Sequence, residues 1–168
     1  MITMITGGAG TGKTSYALRL ASDYNKKAYI ATAEAVDGEM LKKIEKHKLE
    51  RDETYTTYES PTELAETVTE AGHENDVVLI DCLTFWINNL MYYKKNINEC
   101  VDEFINALKT STKPVIAVTN EVSVGIVPAN KLTREYVVFT AALNRKVADI
   151  ADNLILMVAG QPLYVKRK

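Results

Sequence analysis

Cysteine is nearly missing from this chain: Cys82 and Cys100, 18 positions apart, are the two in 168 residues. Two thiols cannot build a disulfide framework, and their separation fits no short zinc-binding spacing, so both are expected as buried thiols in a reducing compartment. Charge of one sign is scarce too, with 20 Lys plus Arg against 22 Asp plus Glu, a formal net charge of −2 and a pI near 5.8. Such a balance supplies no general attraction to nucleic acid or to an anionic membrane, although a local basic patch can still hold a phosphate. Neither is expected as a partner. Long apolar runs are absent: even residues 77–87 contain Asp81, and nothing approaches the ~20 residues of a spanning helix. Residues 1–6, Met1-Ile2-Thr3-Met4-Ile5-Thr6, lack the basic start of a secretory signal. A soluble, cytoplasmic protein is the expectation.

What is present is globular in proportion, 46% apolar and 25% charged, and the length suits one domain over residues 1–168. Short apolar runs rich in β-branched residues occur at Ile2–Ile5, Ala28–Ala31, Val77–Ile80, Val115–Val118 and Leu154–Val158, with helix-like segments between most of them. The alternation predicts an α/β fold with a largely parallel sheet, and the lack of in-out polar alternation predicts helices on both faces. Ser60-Pro61-Thr62-Glu63 reads as a capping box that opens a helix toward Ala71, with Gly72 placed to end it. Leu132, Tyr136, Phe139, Leu143, Val147 and Ile150 recur at spacings of three and four and predict one amphipathic helix over most of 131–151. Gly160-Gln161-Pro162 predicts a terminal hairpin.

Residues 7–14, Gly7-Gly8-Ala9-Gly10-Thr11-Gly12-Lys13-Thr14, match G-x-x-x-x-G-K-[ST] between an apolar strand and a helical pattern. Glycines let successive N–H groups turn inward toward phosphate oxygens, and the following helix adds its positive end. In such a loop Lys13 reaches the β- and γ-phosphates of a nucleotide and the Thr14 hydroxyl ligates Mg²⁺. Val77-Val78-Leu79-Ile80-Asp81 has the form of the companion element, an apolar strand ending in a carboxylate that orders the metal. Asn130-Lys131-Leu132-Thr133 superficially matches a guanine-reading N-K-x-D element, but Thr stands where the carboxylate is needed. Asn130 or Thr133 is read instead as a helix cap.

Further stretches appear in order: Thr6–Thr14, Tyr29-Ile30-Ala31-Thr32, Asp37-Gly38-Glu39-Met40, His47 with Arg51, Asp81-Cys82-Leu83-Thr84 with Trp86 and Asn89-Leu90, and Val118-Thr119-Asn120-Glu121-Val122 followed by Gly125-Ile126-Val127-Pro128. Together they make nearly the whole chain resemble the bifunctional adenosylcobinamide kinase / adenosylcobinamide-phosphate guanylyltransferase family of cobalamin biosynthesis. The resemblance implies a RecA-like P-loop fold, a homo-oligomer that is commonly a trimer, and two reactions. One phosphorylates the aminopropanol hydroxyl of adenosylcobinamide with ATP or GTP. The other transfers GMP from GTP to that phosphate through a guanylylated histidine.

His47 stands where the resemblance places that histidine. In a helix from about Glu39, Met40, Ile44, His47 and Arg51 share one stripe, so His47 is expected to face inward. Lys46 and Lys48 beside it favour the neutral imidazole that attacks phosphorus. Arg51 is suited to phosphate oxygens. Thr32 and Glu34, at and beyond the end of the second apolar run, join residues 7–14 in the nucleotide-binding set that the resemblance implies. Asp37 and Glu39 either position metal or substrate or serve the helix dipole. Glu121 either polarises the accepting hydroxyl or makes a structural hydrogen bond. Trp86 is read as a packing residue, and His73 as an exposed loop residue. The chain departs from the family pattern at Asp52 and Tyr55, where Pro and Trp are usual, and at Val137-Val138, Ala141 and Asn144-Arg145, where a charged pair, Gly and Asn-Gln are usual. These departures leave the nucleotide loop intact and bear on the acceptor side or on subunit contacts.

Overall fold

The computed structural model describes residues 1–34, 38 and 51–168. Seven strands, β1 (Ile2–Gly7), β2 (Lys27–Ala31), β3 (Tyr55–Glu59), β4 (Val77–Asp81), β5 (Val115–Val118), β6 (Asn153–Val158) and β7 (Gln161–Arg167), form one sheet in the order β3-β2-β4-β5-β1-β6-β7. Every neighbouring pair is parallel except β6 with β7, the expected terminal hairpin, which turns through Ala159 and Gly160 at positive φ. The described helices include α1 (Lys13–Ala21), α2 (Leu64–Glu74), α3 (Leu83–Tyr92), α4 (Ile97–Thr110) and α5 (Lys131–Ile150).

Alternate strand residues face two separate cores, as the two-residue period of a strand requires. Ile5, Tyr29, Leu79, Val118 and Ile155 pack with Tyr16 and Ala17 of α1. Met4, Ile30, Ile80 and Ala117 pack on the other side with Val68 of α2, Trp86 of α3, Phe104 of α4 and Leu143 of α5. The sheet is thus covered on both faces. Trp86 is indeed a packing residue, 5.1 Å from the Phe104 ring, and its indole N–H donates to the Thr62 carbonyl at 2.8 Å. Cys82 and Cys100 are both free thiols, the first buried and the second half-buried.

Three local expectations change. The α2 helix begins at Leu64 rather than at Ser60, because the Ser60 amide still donates to Ala31 of the sheet while Asn89 and Trp86 hold the Pro61 and Thr62 carbonyls. The Ser60 hydroxyl accepts from Thr67 rather than from a helix-start amide. Gly72 lies inside that helix, which runs on to Glu74, so His73 sits exposed in a last turn and not in a loop. Leu132 of α5, read as part of the buried stripe, is exposed, whereas Leu143 and Val147 are buried as expected. Asn130 is the cap of α5, its side chain accepting from the Thr133 amide at 3.2 Å. Sequence reading missed β3, a Tyr- and Thr-rich edge strand, Tyr55-Thr56-Thr57-Tyr58-Glu59, that leaves most of its side chains outside the core.

One carboxylate ties both ends of the chain to the sheet. Asp152 accepts from the Ile2 amide at 2.8 Å and from the Lys168 ammonium at 2.9 Å. Lys168 and the Ile2 amide together hold its carboxyl below the ordinary value of 3.8. A folded-state pKa depressed in this way gives stability that is complete above the unfolded value and lost as pH falls through the folded one. Asp152→Ala is therefore expected to lower unfolding stability by about 1 kcal/mol at pH 7, solvent screening included. Denaturant titrations should show the gap between wild type and variant narrowing below pH ~4.

Candidate active site

The C-terminal ends of β1, β4 and β5 lie side by side, which is where ligands bind in parallel α/β sheets. From β1 the chain turns through residues 7–12 into α1, whose N-cap is Gly12. Gly7, Gly10 and Gly12 adopt φ of 146°, 72° and 87°, a backbone region that side chains disfavour. Gly8, Ala9, Gly10 and Gly12 are exposed, and the Thr11 hydroxyl closes the turn on the Gly8 carbonyl at 2.9 Å. The first amides of α1 have no carbonyl one turn back to receive them, so they are left to face an anion.

Lys13 is buried and donates to the Gly8 carbonyl at 2.6 Å, which sets its ammonium against the loop. Burial lowers its pKa, opposed by Cys82 and Asp81. Thr14, one residue on, donates to Asp81 Oδ2 at 2.9 Å. The same oxygen accepts the phenol of Tyr29 at 2.8 Å. Tyr29 and Asp81 lie two residues apart along paired strands, since Tyr29 aligns with Leu79 and Ala31 with Asp81, and a tyrosine side chain spans that diagonal. The sequence placed Tyr29 in a β-rich run, where its hydroxyl had no visible purpose.

Behind Asp81 a polar seam fixes the strand ends. Thr32, wholly buried, donates to the Cys82 carbonyl at 2.7 Å and accepts the Cys82 amide at 2.9 Å. Asn89 of α3 donates to the Thr32 and Pro61 carbonyls at 2.7 and 3.1 Å. Asn120 donates to Thr84 at 3.0 Å, and Asn144 of α5 bridges Thr119 and the Asn120 carbonyl. Asn89 and Asn144 enter the sequence reading only within the family pattern and its departures, with no role assigned, because an Asn within a helix carries no distinguishing local signal.

The remaining expected site residues are spread around this centre. Glu121 is held to the loop, its amide donating to the Gly7 carbonyl at 3.0 Å and its Oε1 accepting from the amide and hydroxyl of Ser123. Glu34 accepts the Tyr93 hydroxyl at 3.0 Å. Arg51 places its guanidinium 3.9 Å from the centre of the Tyr29 ring. His47, Asp37, Glu39, Met40 and Ile44, with the helix read from about Glu39, lie outside the described residues.

Mg²⁺ fits this donor set. It takes hard oxygen ligands and is commonly held by one or two protein groups plus phosphates and water, and Thr14 Oγ1 and the Asp81 carboxylate stand in contact at the end of the loop. No group of three or more His, Cys, Asp or Glu side chains gathers for a metal among the described residues.

The loop makes a steric prediction. A Cβ on Gly7 would lie 2.6 Å from the Met157 carbonyl oxygen, at a φ of +146°, whereas on Gly8 it would meet only Thr11 Cγ2 at 3.6 Å. Gly7→Ala should cost more than about 1 kcal/mol and weaken nucleotide binding, with Gly8→Ala within about 0.5 kcal/mol of wild type. Thermal melts and nucleotide titration of the pair check this.

Comparison with known proteins meets the same geometry. A KaiC-like protein from Pyrococcus horikoshii OT3 superposes with a TM-score of 0.58 at 15% identity, over 99% of this chain and 80% of its own. The fold is accordingly the RecA-like P-loop α/β fold. The bifunctional adenosylcobalamin biosynthesis protein CobP of Pseudomonas aeruginosa is 34% identical over 169 residues, covering 99% of this chain and 98% of its own. The similarly titled CobU of Escherichia coli is 32% identical over 181 residues, covering 99% and 100%. The profile of the family described as cobinamide kinase / cobinamide phosphate guanyltransferase matches residues 3–165, and the chain belongs to that family.

Proposed function

We propose that this protein phosphorylates the aminopropanol hydroxyl of adenosylcobinamide with a nucleoside triphosphate and then transfers GMP from GTP to the new phosphate through His47. Family membership makes the chain a transferase, a kinase and guanylyltransferase. The acceptor, the histidine intermediate and the residue roles are our reading. The observation that carries it is the Thr14–Asp81 contact at 2.9 Å beside the phosphate loop, a pairing suited to turnover as well as to binding.

In the kinase step, residues 7–14 hold the β- and γ-phosphates, with the Lys13 ammonium drawn from Gly8 to the bridging oxygen. The accepting hydroxyl oxygen bonds to the γ-phosphorus, the bond to the bridging oxygen breaks, and Glu121, steadied by Ser123, takes up the proton. Thr14 and Asp81 would hold Mg²⁺, whose charge when bound would offset that of the phosphates. Thr32 and Glu34 complete the nucleotide set, Thr32 through its hold on Cys82 and Glu34 as the carboxylate that Tyr93 steadies. In the second step a neutral His47 nitrogen attacks the α-phosphorus of GTP, pyrophosphate leaves, and the acceptor phosphate displaces the histidine. Arg51 steadies phosphate oxygens as charge builds on them.

Assembly as a homo-oligomer, the trimer of the family pattern, belongs to the same proposal. The loop after β5 supports it, with Val124, Ile126 and Val127 exposed by 83, 97 and 76%, a contiguous apolar segment of the kind that marks association surfaces. Sedimentation should find a species larger than 18.7 kDa.

Intact-mass analysis with Mg²⁺ and GTP, with and without adenosylcobinamide, tests the scheme. A GMP adduct should form, be acid-labile, and be discharged by the phosphorylated acceptor. Its formation should rise with pH through the histidine's titration, because only the unprotonated ring nitrogen is a nucleophile. His47→Ala should abolish GMP transfer while sparing at least part of the kinase activity. Lys13→Ala should cut phosphoryl transfer by two to three orders of magnitude, or about 3–4 kcal/mol. GMP transfer at the wild-type rate in His47→Ala sinks the histidine mechanism, and undiminished turnover in folded Lys13→Ala sinks the active-site assignment.

A further inference from the structure

Among the described residues, Tyr29 touches both Asp81 and Arg51, one from each half of the proposed chemistry. It is buried, 4% exposed, on the α1 face of the sheet. Its hydroxyl and that of Thr14 donate to the same carboxylate oxygen, Asp81 Oδ2, at 2.8 and 2.9 Å. Two donors on one oxygen fix the carboxylate's rotation and turn Oδ1 away from both. On the face of the same ring the Arg51 guanidinium sits at 3.9 Å, a cation–π contact strengthened where water is excluded. Tyr55 meets Tyr29 edge-on at 6.5 Å and walls in the ring. With Tyr55, Asp52, Thr57 and Glu59, Arg51 lines an open cleft of about 430 Å³.

We infer that Tyr29 is a two-sided positioning residue: its phenol O–H orients Asp81 at the end of the phosphate loop, and its ring seats Arg51, which follows His47 by four positions in the sequence. Neither contact depends on the other. The hydroxyl is lost without the ring in Tyr29→Phe, and both are lost in Tyr29→Leu. The inference rests on the proposed roles of Asp81 and Arg51, so its test reads binding constants and not turnover.

Two titrations separate the functions. Mn²⁺, followed by electron paramagnetic resonance in the presence of β,γ-imido-GTP, reports on Asp81. A fluorescent methylanthraniloyl-GTP analogue, titrated without divalent metal, reports on the nucleotide alone. Tyr29→Phe should weaken Mn²⁺ about five- to tenfold, the loss of one charge-assisted hydrogen bond, and leave nucleotide affinity within about twofold, as a preserved ring predicts. Tyr29→Leu and Arg51→Ala should each weaken the nucleotide about threefold or more, and the double variant should be no weaker than the worse single one, as expected for groups acting as a unit. Tyr29→Met substitutes for Tyr29→Leu if the latter does not fold. Wild-type Mn²⁺ affinity in Tyr29→Phe overturns the hydroxyl's role. Multiplying losses in the double variant, or an Arg51→Ala that binds nucleotide like wild type, overturn the ring's role. A wild-type protein that never acquires GMP would sink the transfer scheme and still leave both constants to be read.

Discussion

At the end of β4 a single carboxylate oxygen accepts two hydroxyl donors, Thr14 from α1 and Tyr29 from β2. That contact joins the phosphate loop to the neighbouring strands, and the geometry of the site depends on it. Hydrogen bonds to a charged group are worth about 1.5–3 kcal/mol each, and their greater effect here is directional. With Oδ2 occupied, the carboxylate holds one orientation at the mouth of the loop. Lys13, held on Gly8 close by, supplies the opposing charge.

Rigidity reaches this contact from a layer of buried polar groups. A buried amide or hydroxyl without a partner costs a few kcal/mol, so a sequence that places Thr32, Asn89, Thr119 and Asn144 inside must satisfy them. Their partners are the ends of β2, β4 and β5 and the segments that follow. Each bond therefore pins an irregular stretch of backbone at the rim of the site. Apolar residues in those positions would pack equally well and leave the rim free to shift, since dispersion and the hydrophobic effect carry little direction. The loop at 121–130 stands outside this layer, anchored by the Glu121 amide on Gly7 and by the Asn130 cap, and presents its apolar residues outward.

Local signals in the sequence settled much of the architecture. The β-branched runs became β1, β2, β4, β5 and β6, because a strand buried on both faces must be apolar throughout. Gly7, Gly10 and Gly12 marked the phosphate loop, since positive φ is a property of single residues. The period of α5 and the Gly160 turn were legible for the same reason: each lies within a few residues of chain. Where a neighbour from far along the chain intervenes, such reading fails. Ser60 has the composition of a helix cap, but its amide belongs to Ala31 in the sheet, and Asn89 and Trp86 occupy the carbonyls that follow. Tyr and Thr in β3 gave too little apolar signal for an edge strand.

The site divides along the same line. Lys13, Thr14 and Asp81 could be named from the sequence, because a glycine-rich turn before a helix and a carboxylate after an apolar strand are each local patterns. That Asp81 would share one oxygen between Thr14 and Tyr29, that Arg51 would lie on the Tyr29 ring, and that Glu34 would be met by Tyr93 could not. These partners are separated by 22 to 67 positions along the chain, and only the tertiary arrangement of strands, helices and loops brings them into contact. Backbone preference and hydrophobic period act over one or two turns of chain and so determined the elements and the loop. The direction of a side chain across the sheet depends on which strands become neighbours, which the packing of the whole domain decided.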